Sequence, residues 1–230
     1  MRKRLVLFDI DGTLLRVNNI NRQALIDALT TVYGTEGSAR SHNFAGKMDS
    51  VIIYEVLKHA GLNDGHIAEK FNTVKNTYID LLQKLLRPED VLLMKGIREL
   101  LKELSERKDI VLGLLTGNFE GSGRNKLAMP QLNHFFPFGA FADDAHYRKD
   151  LPAIAVNRAQ HYTGKAFSSE EVVIIGDTEH DINCSRSFRA KSIAVATGNY
   201  SVEQLSSHQP DALFENFSDT ERAVQCIVNV

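Results

Sequence analysis

Leu5-Val6-Leu7-Phe8-Asp9-Ile10-Asp11-Gly12-Thr13-Leu14 runs from four apolar residues straight into two carboxylates and a glycine. The apolar stretch is too short for an amphipathic helix and reads as a strand buried on both faces, as parallel sheets require. Asp9 and Asp11 are two apart, so on extended backbone their side chains point the same way and can face one site. Gly12 allows the sharp turn that strand-end loops often need. Ligands of open α/β sheets bind beyond the carboxyl ends of the strands. The residues that follow each further apolar run therefore carry the functional information.

Three more such runs lie at Ile110–Leu115, Val172–Ile175 and Ser192–Ala196. Helical spacing separates them at Gly96–Glu106, Pro152–His161, Asp181–Phe188 and Thr220–Val228. Strands alternating with helices predict an α/β fold, a Rossmann-like parallel sheet. Residues 21 to 86 break the alternation. Ile67, Phe71, Val74, Tyr78, Leu81 and Leu85 recur at helical steps and predict one apolar face, with Pro88 just beyond the helix end. The expected organisation is a core of residues 1–16 and 92–230 interrupted by an all-helical cap of residues 17–91.

Thr116-Gly117-Asn118 follows the second run: a hydroxyl, a glycine open to close approach and an amide, suited to cradling phosphate. The same triplet is also good turn or helix-cap chemistry. Gly176-Asp177 and Asp181 follow the third run, adding two carboxylates four residues apart. Asp177 alone could cap a helix. With Asp9 and Asp11 it makes a divalent-metal site of oxygen ligands the economical reading, because a hard cation relieves the repulsion among like charges.

In this order the pieces resemble the haloacid-dehalogenase-like superfamily of aspartate-dependent phosphohydrolases, in the phosphoglycolate phosphatase and β-phosphoglucomutase-like branch with a helical cap. The resemblance spans residues 9 to 181. Its motifs read here as Asp9-Ile10-Asp11-Gly12-Thr13, Thr116, a basic residue, and Gly176-Asp177 with Asp181. For the basic residue, Arg148-Lys149-Asp150-Leu151-Pro152 aligns Lys149 with the family lysine, and Arg148 is the alternative by charge.

The resemblance implies a phosphatase acting on a small phosphate monoester through an aspartyl-phosphate on Asp9. It implies Mg²⁺ held by Asp9, the Asp11 carbonyl and Asp177, with Asp181 orienting a metal-bound water or the lysine. Asp11 would protonate the leaving group and later deprotonate water, a role that dehalogenases of the superfamily do not need. Gly12, Thr116, Gly117, Asn118, Lys149 and Arg148 would surround the phosphate. Lys47, in the cap loop Gly46-Lys47-Met48-Asp49, would meet a substrate carboxylate or phosphate. A phosphomutase of the β-phosphoglucomutase type shares these motifs, and a non-catalytic binding protein of the same fold is the third reading. His180 reads as a variable position within the acidic motif.

Composition supports these expectations by exclusion. Lys plus Arg total 27 against 29 Asp plus Glu, a formal net charge of −2, which gives no sign of nucleic-acid or membrane binding. Met1-Arg2-Lys3-Arg4 superficially resembles a secretory leader, but Asp9 interrupts the apolar stretch too early. Cys184 and Cys226 show no metal or redox spacing and predict free thiols in a reducing cytoplasm. Monomer and homodimer stay equally open.

Overall fold

The structure is a computed structural model describing residues 3–230; Met1 and Arg2, the start of the basic segment, lie outside the described residues. Along the chain run β1 (Arg4–Phe8), β2 (Leu15–Val17), α1 (Ile20–Tyr33), α2 (Asp49–Lys58), α3 (Asp64–Leu85), β3 (Val91–Leu93) and α4 (Ile97–Ser105). Next come β4 (Ile110–Leu115), α5 (Glu120–Ala128), β5 (Gly139–Ala140), α6 (Leu151–Thr163) and β6 (Val172–Gly176). Then follow α7 (Glu179–Phe188), β7 (Lys191–Val195), α8 (Val202–Ser207), β8 (Ala212–Phe214) and α9 (Thr220–Asn229).

Six strands form one parallel sheet in the order β5-β4-β1-β6-β7-β8. The predicted strands are its centre because each can bury both faces. Leu5 and Leu7 of β1 join the apolar cluster that contains Leu151, Ala155 and Ala159 of α6. Val6 and Phe8 point the other way, into the cluster built on Ile97, Leu100 and Leu104 of α4 and Ile227 of α9. β1 pairs with β4 on one side and β6 on the other. The carboxyl ends of these three strands, where the candidate motifs begin, are therefore neighbours.

Helices α1 to α3 occupy the interval read as a helical insert, and α1 packs on α3. The short strands β2 and β3 escaped the sequence reading because three residues carry too little pattern. They pair antiparallel and set Val17 opposite Val91, so the two expected limits of the insert are direct partners. One detail of α3 differs from expectation. Ile67, Val74, Tyr78 and Leu82 are buried, whereas Leu85 is 39% exposed. Tyr78 to Leu82 is a step of four and keeps the buried line straight; Leu81 and Leu85 rotate away from it. Among the described residues, no helix is long and apolar enough to cross a membrane.

The helix-face assignment is testable by truncation. Leu82→Ala should cost about 2–5 kcal/mol of unfolding free energy in denaturant titrations, and Leu85→Ala less than about 1 kcal/mol. Equal costs would mean that the face is misplaced.

Candidate active site

Because β1, β4 and β6 are adjacent, their trailing loops bring Asp9, Thr116 and Asp177 to one edge of the sheet. Asp9, Asp177 and Asp181 are all buried, and each offers a carboxylate oxygen within 4.8 Å of the others. Asp177 accepts a hydrogen bond from the Thr13 hydroxyl at 3.2 Å. Gly12, at φ +86°, lies against it; a Cβ there would collide with the Asp177 carboxylate. Asp181 is occupied at both oxygens. Oδ2 accepts from the Thr178 hydroxyl at 2.7 Å and backbone amide at 3.2 Å, and Oδ1 meets Arg148 at 2.5 Å.

The charges here are under strain. Burial pushes the Asp9 carboxyl from 3.8 up to about 6; Arg148 and a Thr116 hydrogen bond pull it down, and Asp181 pushes it further up. Burial, with Asp181 and Asp9 nearby, raises Asp177 well above the ordinary carboxylate range. Two of the three carboxylates thus share one guanidinium, since Arg148 Nη2 lies 3.3 Å from Asp9 and 2.5 Å from Asp181. The donor set is all oxygen, hard and net negative, which fits a hard divalent cation.

The basic position differs from the favoured expectation. Arg148, not Lys149, enters the site. The two residues sit in a single helical turn before α6, so their side chains diverge. Arg148 points inward, its side chain 10% exposed. Lys149 is exposed, with its ammonium 5.4 Å from the centre of the Tyr147 ring. Arg148 Nε is buried without a partner among the described residues.

Two residues central to the local geometry were given no role by the sequence reading. Lys126 of α5 is 2% exposed, and its ammonium lies 2.6 Å from Asp11 Oδ2 and 2.6 Å from Asn118 Oδ1. Asn118 is itself committed, donating to Asp11 Oδ2 and to the Thr116 hydroxyl, each at 2.8 Å. No motif spacing marks Lys126. The available signal is its position four residues after Ser122 on one helix face, and that face is known to be buried only once α5 is packed.

Asp49 is the second. Helix α5 has no side-chain cap of its own. Asp49, the first residue of α2, supplies one by accepting from the Phe119 amide at 2.9 Å and the Ser122 hydroxyl at 3.0 Å. Its own amide donates to the Gly117 carbonyl at 2.7 Å. Gly117 is required for this approach: a Cβ would strike the Lys47 carbonyl. Burial raises the Asp49 carboxyl to about 6, with Lys126 and the Phe119 amide opposing the shift.

A cleft of about 330 Å³ lies between this edge and the helical insert, lined by Asp9, Asp11, Lys47, Thr116, Gly117 and Arg148 among others. Lys47 is already engaged, 2.6 Å from Glu55 and 3.3 Å from His42. Among the described residues that line the cleft, the cations with only neutral acceptors are Arg16, which donates to the Thr197 and Gly198 carbonyls at 2.9 Å, and Arg22, which donates to the His42 carbonyl at 2.9 Å. Tyr78 also lines the cleft, beyond its part in the apolar face of α3.

The raised carboxyls fix a sign for stability. Asp9 and Asp49 bind protons in the folded state at pH values where the unfolded chain has released them, so their burial cost grows as pH rises from about 4 through about 6. Metal-free protein should melt a few degrees higher near pH 5.5 than near pH 7.5, on the order expected for shifts of this kind. Asp9→Asn and Asp49→Asn should each flatten that difference in thermal scans. An unchanged difference in both variants would exclude these groups as its source.

The profile of a haloacid dehalogenase-like hydrolase family matches residues 6–195. The pyrophosphatase PpaX of Bacillus cereus strain G9842 is 23% identical over 232 aligned residues, covering 95% of each chain. A hydrolase from Pseudomonas syringae superposes with a TM-score of 0.71 at 20% identity, covering 97% of this chain and 98% of the other. A protein from Haemophilus somnus described as a predicted phosphoglycolate phosphatase gives 0.72 at 20% identity, covering 98% and 99%.

Proposed function

The chain belongs to the haloacid dehalogenase-like hydrolase family, and from that premise we propose that it is a Mg²⁺-dependent phosphatase of a small phosphorylated metabolite, acting through an aspartyl-phosphate. One observation carries the reading. Asp9, Asp177 and Asp181 converge within 4.8 Å beside the inward-facing Arg148, whose buried Nε has no acceptor among the described residues. A phosphoryl oxygen would supply that acceptor.

Asp9 attacks phosphorus as the ester oxygen departs, so one O–P bond forms while another breaks. Asp11, two residues on and facing the cleft, gives a proton to the departing oxygen. It then takes one from the water that releases phosphate and regenerates Asp9. Arg148 and Thr116 hold the transferring oxygens, and Asp181, bound at both oxygens, keeps Arg148 in place. Mg²⁺ would be held by Asp9, the Asp11 carbonyl and Asp177, and it supplies neutralisation of the charge that collects on the phosphoryl group.

The remainder of the substrate would lie under residues 17–91, acting as a cap. Arg16 and Arg22 line the cleft with charges that carbonyls and, for Arg22, the Phe44 ring meet but no carboxylate among the described residues pairs, which suits a compact acidic molecule of the phosphoglycolate kind. Lys47, neutralised by Glu55, would contribute less unless substrate displaces that carboxylate. The free thiols of Cys184 and Cys226 fit a reducing cytoplasm.

The test is Mg²⁺-dependent release of inorganic phosphate from a panel of small monoesters, with pyrophosphate included. Chelation should abolish release, and Asp9→Asn should reduce kcat by at least about 10³-fold. Arg148→Ala should lose about 10²–10³-fold, as removal of a transition-state donor does, whereas Lys149→Ala should stay within about threefold. Phosphate release that survives Asp9→Asn would falsify the covalent route. Mg²⁺ should also raise the melting temperature near pH 7.5, and that rise should vanish in Asp177→Asn.

A further inference from the structure

Lys126 is a buried ammonium that the reaction outlined above does not use. Taking a lysine to 2% exposure is costly unless the charge is paired and its donors are satisfied. Its partner is the carboxylate of Asp11, and specifically one oxygen of it. Oδ2 receives the Lys126 ammonium at 2.6 Å and the Asn118 amide at 2.8 Å. Asn118 is held in turn, accepting from Lys126 at 2.6 Å and donating to the Thr116 hydroxyl at 2.8 Å. Oδ1 accepts no hydrogen bond from any described residue, and the Asp11 side chain is 39% exposed toward a cleft it helps to line.

An oxygen already facing two N–H donors has no room for a proton of its own. A proton carried by Asp11 is therefore confined to Oδ1. Rotation of the carboxylate, which would otherwise exchange the two oxygens, is opposed by a charge-assisted pair anchored in a packed helix. The Asp11 pair thus presents a single, fixed oxygen for proton exchange.

We propose that Lys126 is a positioning residue for acid–base chemistry at Asp11: by engaging Oδ2 it makes Oδ1 the one oxygen that hands a proton to the leaving group and recovers one from water. The inference rests on the phosphatase reading and on Asp11 as its acid and base. In the first half-reaction the ester O–P bond breaks, the Asp9–phosphorus bond forms, and the Oδ1 proton moves to the departing oxygen. In the second, water forms the new O–P bond and gives its proton to Oδ1 as the Asp9 bond breaks.

The experiment compares kcat/KM for an alkyl monoester, whose leaving group needs a proton, with that for p-nitrophenyl phosphate, whose leaving group does not. This ratio is read in wild type, Lys126→Met, Asp11→Asn and the double variant, all with Mg²⁺. Lys126→Met should lose about 10²-fold on the alkyl ester and less than about fivefold on the aryl ester. The double variant should be no worse than Asp11→Asn, because Lys126 acts only through Asp11. Competitive inhibition by inorganic phosphate, within about threefold of wild type, reports an intact site. Lys126→Gln carries the same comparison if the methionine variant does not fold. Equal losses on the two esters, or additive losses in the double variant, would overturn the positioning role while leaving Asp11 in place. An Asp11→Asn variant that itself shows no preference between the esters would overturn the acid–base reading, and the role of Lys126 with it.

Discussion

Three carboxylates, Asp9, Asp177 and Asp181, are buried within 4.8 Å of one another at the edge of a parallel sheet, with the Arg148 guanidinium in direct contact with two of them. Much of the surrounding structure answers that electrostatic load. Thr13 and Thr178 donate into it, and Asp181 spends both oxygens holding Arg148 and the start of α7. The cost is visible in the upward shift of Asp9 and Asp177. A site that is expensive to ionise when empty gains most from a cation and a phosphoryl group arriving together.

The loops around this load fit it closely. At Gly12 and Gly117 a single added carbon would collide with a carboxylate or a carbonyl. The helical insert makes its own attachment there, through Asp49 at the otherwise uncapped end of α5. That same helix, two turns further on, delivers Lys126 to Asp11. One element thus joins the insert to the Asp11 carboxylate, and the apolar cluster containing Ile52 and Val56 of α2 with Leu7 and Leu115 is continuous across the junction.

Much of this was legible in the residues. β1, β4 and β6 stood out because a strand buried on both faces writes a continuous apolar run, and the polar residues beyond each run could be read in order. The strands of two or three residues were silent, since β5 and β8 have too few positions to show a period. On α3, counting apolar residues led to Leu85, but burial follows the line to Leu82, one step of four from Tyr78. At the basic position, alignment on Pro152 favoured Lys149. A tight turn sends adjacent side chains in different directions, and only Arg148 has the reach and orientation to meet Asp181.

The chain by itself determined the parallel core, the interruption by helices and the cluster of aspartates, because each depends on local periodicity or on residues next to a strand end. Tertiary structure alone decided that Arg148 faces the aspartates, that Asp49 caps a helix far along the chain, and that Lys126 meets Asp11 across 115 positions of sequence. Those contacts are long-range pairings of single polar side chains. They leave no periodic trace, and only packing, which removes water from both partners, makes their mutual satisfaction obligatory.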